Sequence, residues 1–154
     1  MTTRHPAELP LGPALGLLQR LWRLNHALER LSSRMERQLG VTAQQRLVIR
    51  CLGKYPGMTA GQLAGLLHVD PGTVSAALNR LERKGLVLRR RDPKDKRRAS
   101  LGLTERGRDL DRPSDGTVES AVERAMLGAG PLELDAATAL LDRIVAALEH
   151  ESAS

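Results

Sequence analysis

Asp70 followed by Pro71 is the tightest local constraint in the sequence. Aspartate is a strong helix N-cap, and a proline at the first helical position has no amide hydrogen to leave unsatisfied. A helix is expected to start there, and "GTVSAALNRLERK" continues it until Gly85 offers a stop. Upstream, Thr59 opens a shorter helix with Gln62 at the capping-box position, and its apolar residues are Ala60, Leu63, Leu66 and Leu67. Only "HVD" separates the two, which leaves room for a tight turn. A short helix, a brief turn and a second capped helix form a helix-turn-helix candidate.

The second of these helices has two faces. Val74, Ala77, Leu78 and Leu81 share one side at helical spacing and are expected to bury. Thr73, Ser75, Ala76, Asn79, Arg80 and Arg83 stay on the other, and all are small, hydrogen-bonding or cationic. Such a surface suits the major groove of DNA, and a plain solvated face is the alternative. The residues just beyond Gly85 favour DNA. "LVLRR" and "ASLGL" alternate in the manner of short strands, and "RDPKDKRR" joins them with turn-forming Asp-Pro and Lys-Asp pairs. The segment reads as a β-hairpin with a basic tip, a wing placed to reach phosphates or the narrow minor groove. From Arg80 to Arg98 ten basic residues face three acidic ones, so +7 of charge sits here and the rest of the chain sums to −1.

The flanks are helical. Ala14, Leu17, Leu21, Leu24, Leu28, Leu31 and Met35 recur at steps of three and four along one long helix ending near Gln38, with Gly40 as its stop; the stripe is expected to meet a partner helix, the alternative being ordinary core packing. Thr42 then caps "AQQRLVIRCLGK", with Leu47, Val48, Cys51 and Leu52 as the expected apolar side, and "YPGM" breaks it. After the hairpin, Thr104 caps a helix containing Leu110. Pro113 and Gly116 predict a break near residues 111 to 117, and Val118, Val122 and Met126 resume the pattern. Pro131 starts a last helix carrying Leu134, Leu141, Ile144, Val145 and Leu148.

Composition narrows the function classes. The 154 residues include two aromatics, Trp22 and Tyr55, which disfavours stacking on single-stranded nucleic acid. The histidines at 5, 26, 68 and 150 have no ligand spacing, there is no phosphate-cradling glycine loop, and nothing points to a catalytic triad. No enzyme, metal or cofactor is expected. Cys51 is the single cysteine, so no intrachain disulfide forms and a buried, inert residue is expected. The first residues lack a signal-peptide core and no apolar run reaches membrane-spanning length, so the expected location is cytoplasmic, away from the membrane.

"TAGQLAGLLHVDPGTVSAALNRLERKGLV" and "DPKDKRRASLGLTERG" together resemble the MarR family of winged-helix transcriptional regulators, over about residues 14 to 150. The resemblance implies a mainly α fold, a winged helix-turn-helix with a small β-hairpin wing, flanked by N- and C-terminal dimerisation helices. Residues 1–12 would be a flexible N-terminal arm, 13–40 and 104–150 the helical dimerisation region, and 41–103 the DNA-binding domain. Leu17, Leu21, Leu24, Leu134, Leu141, Ile144 and Leu148 would line the interface of a homodimer. Arg97 corresponds to the wing arginine that enters the minor groove and Asp95 to the acid that holds the wing. With the recognition-helix residues above, Arg89, Arg91, Lys94, Lys96 and Arg98 complete the expected contacts to double-stranded DNA. Ala76 departs from the family pattern, where a longer polar or basic residue is frequent, so base readout leans on Thr73, Ser75, Asn79 and Arg80.

Family members also bind small anionic, often aromatic, effectors. Trp22, His26, Arg46 and Arg50 are the candidates for a phenolic or carboxylate effector, the alternative for the first two being packing at the interface. Redox sensing through Cys51 does not carry over by position. The expected function is a homodimeric, sequence-specific regulator, a repressor released by its effector. The alternative is a winged-helix DNA-compacting or protein-interaction module without specific base readout.

Overall fold

The computed structural model describes residues 10–95 and 97–154. In chain order the elements are α1 (Gly12–Leu39), α2 (Ala43–Lys54), α3 (Ala60–Leu67), α4 (Pro71–Arg83), β1 (Val87–Arg91), β2 (Ala99–Leu103), α5 (Glu105–Leu110), α6 (Val118–Met126) and α7 (Pro131–Ser152). Local chemistry sets the helix starts. Thr42 and Gln45 exchange a capping box at 3.2 Å each way, and Thr59 and Gln62 form another at 3.2 and 2.9 Å. Asp70 accepts the Thr73 amide at 3.0 Å, and Thr104 accepts the Gly107 amide at 3.1 Å. At the end of α1, Gly40 takes φ 76° and donates to the Glu36 carbonyl, a left-handed stop that glycine adopts without Cβ strain. The tight turn between α3 and α4 depends on His68, which is left-handed at φ 52° despite its side chain.

The chain divides into two units, residues up to Val118 and residues 119–154. In the first, α2 is the central element and packs against α1, α4, α5 and β2. Ile49 and Leu52 of α2, Leu63 of α3, Leu78 and Leu81 of α4, and Val87 and Leu101 of the hairpin form the core. Burying each such side chain contributes about 1.5–3 kcal/mol. The strands pair antiparallel from Val87 opposite Leu103 to Arg91 opposite Ala99. The other edge of β2 is also used. Gly57 donates to the Leu101 carbonyl at 3.1 Å and Leu101 donates to Met58 at 2.8 Å, so the segment read only as a helix breaker completes the sheet's pairing.

Several expectations change. Leu47 is 52% exposed, while Ile49 is fully buried in its place. The reason is that α2 is covered by four elements, so its inward arc spans 45, 46, 48, 49 and 52 and leaves 47 outside. On the eight-residue α3, Ala64 is buried and Leu66 is exposed, because the helix rests on α4 and β2 along one side. Of the flexible arm expected over residues 1–12, residues 1–9 lie outside the described residues, and α1 already begins at Gly12. The break expected after the wing is present: α5 ends at Leu110 and α6 starts at Val118. α5, expected within the dimerisation region, packs against α2 and β2 of the winged unit.

The apolar seam of α1 is fully buried only near its end, and Leu17, Leu21 and Leu31 are half-buried. Met35 is buried, but Leu24 and Leu28 are 50% and 38% exposed. In the second unit neither α6 nor α7 buries any residue fully, and Leu141 and Leu148 are open.

Candidate nucleic-acid interface

Burial of Val74, Leu78 and Leu81 sets the rotation of α4 and turns Thr73, Ser75, Ala76, Asn79, Arg80 and Arg83 into solvent. At 100° per residue these six span roughly a 160° arc, wide enough to enter a major groove. The Asp70 cap reaches further than its backbone bond. The Thr73 hydroxyl donates to the second Asp70 oxygen, which commits its hydrogen and leaves it an acceptor for other partners. Those two bonds from Thr73 hold the Asp70 carboxyl below its usual range.

The wing tip is shaped by its acids. Asp92 accepts the Lys94 amide at 2.8 Å, Asp95 accepts the Arg97 amide at 3.0 Å, and the Asp95 carbonyl accepts from Arg98 at 3.0 Å. The Asp92 amide closes the tip on the Arg98 carbonyl at 2.9 Å. Each acid thus gives one carboxylate oxygen to the backbone, and Arg91, Lys94, Arg97 and Arg98 stand exposed without an ion pair to a carboxylate among the described residues. Lys96 lies outside the described residues. Arg89 differs. Its Nε meets Glu82 Oε1 at 2.9 Å and its Nη2 donates to Asn79 Oδ1 at 3.1 Å, tying the strand to the exposed face of α4. At the end of α4, the Lys84 ammonium donates to the Gly40 carbonyl at 2.8 Å and to Gln45 Oε1 at 2.9 Å, which anchors that helix to the α1–α2 junction. Sequence reading missed both Glu82 and Lys84, because their partners lie in other elements.

The four effector candidates do not come together. Arg46 is 1% exposed and donates to the carbonyls of Leu110 at 2.5 Å and Arg112 at 2.8 Å, so its guanidinium holds the α5 exit rather than a ligand. Arg50 pairs with Asp111 at 3.0 Å and lines an open cavity of about 340 Å³ with Cys51, Gly53, Lys54 and Tyr55. His26 lies 3.7 Å from Glu29 on α1 and lines a different cavity, and Trp22 is 66% exposed. Burial pushes the Cys51 thiol up, with Lys54 opposing more weakly, which disfavours the reactive thiolate. Among the described residues no cluster of His, Cys, Asp or Glu could hold a metal ion, and no helix is long and apolar enough to cross a membrane.

Comparison with known proteins gives the same outline. Residues 41–99, from the start of α2 to the return strand of the hairpin, match the model of the MarR family. The HTH-type transcriptional regulator TtmR of Methylorubrum extorquens is 34% identical over 104 residues, which is 68% of this chain and 51% of that protein. The chain spans about half the length of the curated relatives it matches. The crystal structure of Streptococcus pneumoniae FabT in complex with DNA superposes with a TM-score of 0.65 at 28% identity, covering 90% of this chain and 99% of that one. The PcaV transcriptional regulator of Streptomyces coelicolor, in complex with its natural ligand, gives 0.67 at 26% identity over 96% and 99%. TtmR and PcaV are named as regulators of transcription rather than as enzymes. A capped helix-turn-helix, a basic two-stranded wing and the matching family model converge on one assignment: the chain belongs to the MarR family of winged helix-turn-helix transcriptional regulators.

Proposed function

We infer that this protein binds double-stranded DNA in a sequence-specific manner, as a homodimer working in the cytoplasm, and acts as a repressor. One observation carries the reading. The wing presents Arg91, Lys94, Arg97 and Arg98 without acidic partners among the described residues, directly after a helix whose exposed face is hydrogen-bonding and cationic. FabT, of the same fold, is described in complex with DNA. Phosphate contacts from the wing set register and affinity, while Thr73, Ser75, Asn79 and Arg80 are proposed to meet base edges.

The dimer reading is supported by the open leucines of each unit. Leu24 on α1, and Leu141 and Leu148 on α7, remain substantially exposed in a single chain. Leu17, Leu21, Leu134 and Ile144 are half-buried beside them. Two recognition helices about one DNA turn apart would then read a pseudo-palindrome. An effector is proposed more narrowly than the sequence suggested. The cavity beside Arg50 is proposed for a small carboxylate or phenolic ligand, which would have to displace the Arg50–Asp111 pair, whereas Arg46 is committed to backbone carbonyls.

Selection of bound duplexes from a random pool tests the reading, followed by competition. A specific dimer enriches a palindrome and keeps it against roughly a 10³-fold excess of random DNA. Binding that is lost in proportion to competitor would instead identify a compacting module.

A further inference from the structure

Asn79 has two chemically different ends, and one of them is occupied. Arginine can only donate, so the Asn79 atom facing Arg89 Nη2 at 3.1 Å has to be the carbonyl oxygen Oδ1. Arg89 is in turn held by Glu82, three residues along the same helix as Asn79, at 2.9 Å. The three side chains form a line from acid to guanidinium to amide. The Glu82 and Arg89 side chains are each about one-third exposed at the junction of α4 and β1, and Asn79 itself is exposed.

We propose that Arg89 is a positioning residue that sets the hydrogen-bond polarity of Asn79 and thereby the base it reads; this rests on the DNA-binding reading above. A free asparagine pairs with adenine through both ends, accepting from N6 and donating to N7. With one of the two lone pairs of Oδ1 engaged and that oxygen held toward Arg89 on β1, Asn79 offers DNA chiefly its amide hydrogens. It then favours an edge that offers acceptors, guanine N7 and O6 or thymine O4, over the two-bond pairing with adenine, which needs Oδ1 to face the base. Arg89, its charge matched by Glu82, acts through Asn79 instead of serving as one more phosphate contact.

Duplex selection from a random pool, with the full chain and four variants checked by their melting curves, tests this. Asn79→Ala identifies the base pair, since preference there disappears. At that pair the wild type favours guanine or thymine over adenine by about tenfold. Arg89→Met abolishes that bias or turns it toward adenine, Glu82→Ala has the same effect at the same pair, and Arg89→Lys, which still donates, retains it. Adenine preferred by the wild type, or an unchanged bias in Arg89→Met, overturns the proposal. A wild type that enriches no duplex overturns the DNA-binding reading itself, and the proposal falls with it.

Discussion

Gly107 lies in α5, where helix propensity and packing make opposite predictions for alanine. In a helix interior, Gly→Ala ordinarily stabilises by about 0.5–1 kcal/mol. Here an added Cβ would stand 2.1 Å from the Leu86 carbonyl oxygen, 3.1 Å from its carbon and 3.3 Å from the Leu103 Cβ. The first distance is more than roughly 1 Å short of an ordinary contact, so α5 has to move away from the start of the hairpin. That movement stretches two hydrogen bonds at the same place: the Thr104 amide to the Leu86 carbonyl at 3.1 Å, and the Thr104 hydroxyl to the Gly85 carbonyl at 2.7 Å. Overpacking costs about 1–3 kcal/mol and each weakened bond about 1 kcal/mol. The clash outweighs the propensity gain, and the expected net is a loss of about 2–4 kcal/mol. Urea unfolding at one fixed chain concentration measures it. Gly65 in α3 is the control, since a Cβ there meets nothing within 4 Å. Gly65→Ala is expected to stabilise by about 0.5–1 kcal/mol. If Gly107→Ala proved as stable as the wild type, the close approach of α5 to Leu86 would be wrong.

The remaining predictions concern the wing, the cap and the buried arginine. Arg97→Ala weakens DNA binding and lowers the slope of log affinity against log salt by about one unit, and an unchanged slope would rule out that phosphate contact. The Asp70 carboxyl is held low by the Thr73 hydroxyl and amide, so its cap contributes stability above the ordinary aspartate range, and that contribution is lost as pH falls through the folded value. The melting temperature of the wild type should therefore drop toward that of Asp70→Asn on acidification below about pH 4, and a constant gap between them would show that the cap does not titrate. Arg46→Met leaves the Leu110 and Arg112 carbonyls without these two donors and should cost about 2–4 kcal/mol in denaturant unfolding. A loss below about 0.5 kcal/mol would mean that the buried guanidinium is replaceable by apolar volume.

Much of the fold was legible because its determinants are local. The caps at Thr42, Thr59, Asp70 and Thr104 each involve residues three apart, and all four form as the spacing predicts. The alternation on either side of "RDPKDKRR" likewise specified the two strands, and Pro113 with Gly116 marked the break before α6. Periodicity was a weaker guide to burial. It gave α2 one apolar side, yet four neighbours cover that helix, so Ile49 replaced Leu47 in the core. Glu82 attracted no notice in the sequence, since a carboxylate on a cationic helix carries no signal until a partner is known.

Capping, turn chemistry and strand alternation act over a few bonds, so the chain's order of residues was enough to place the helix-turn-helix and its basic wing. The fate of each charge was a different matter. Arg46 reaches carbonyls more than 60 residues away, Arg89 bridges back to α4, and Gly107 makes room for Leu86, all through elements that meet only after the core closes. A guanidinium's role depends on which acceptors the packed elements bring within about 3 Å, and residue order does not encode that distance. Tertiary packing alone therefore divided the arginines into a buried staple, a positioning group and the exposed cations of the wing.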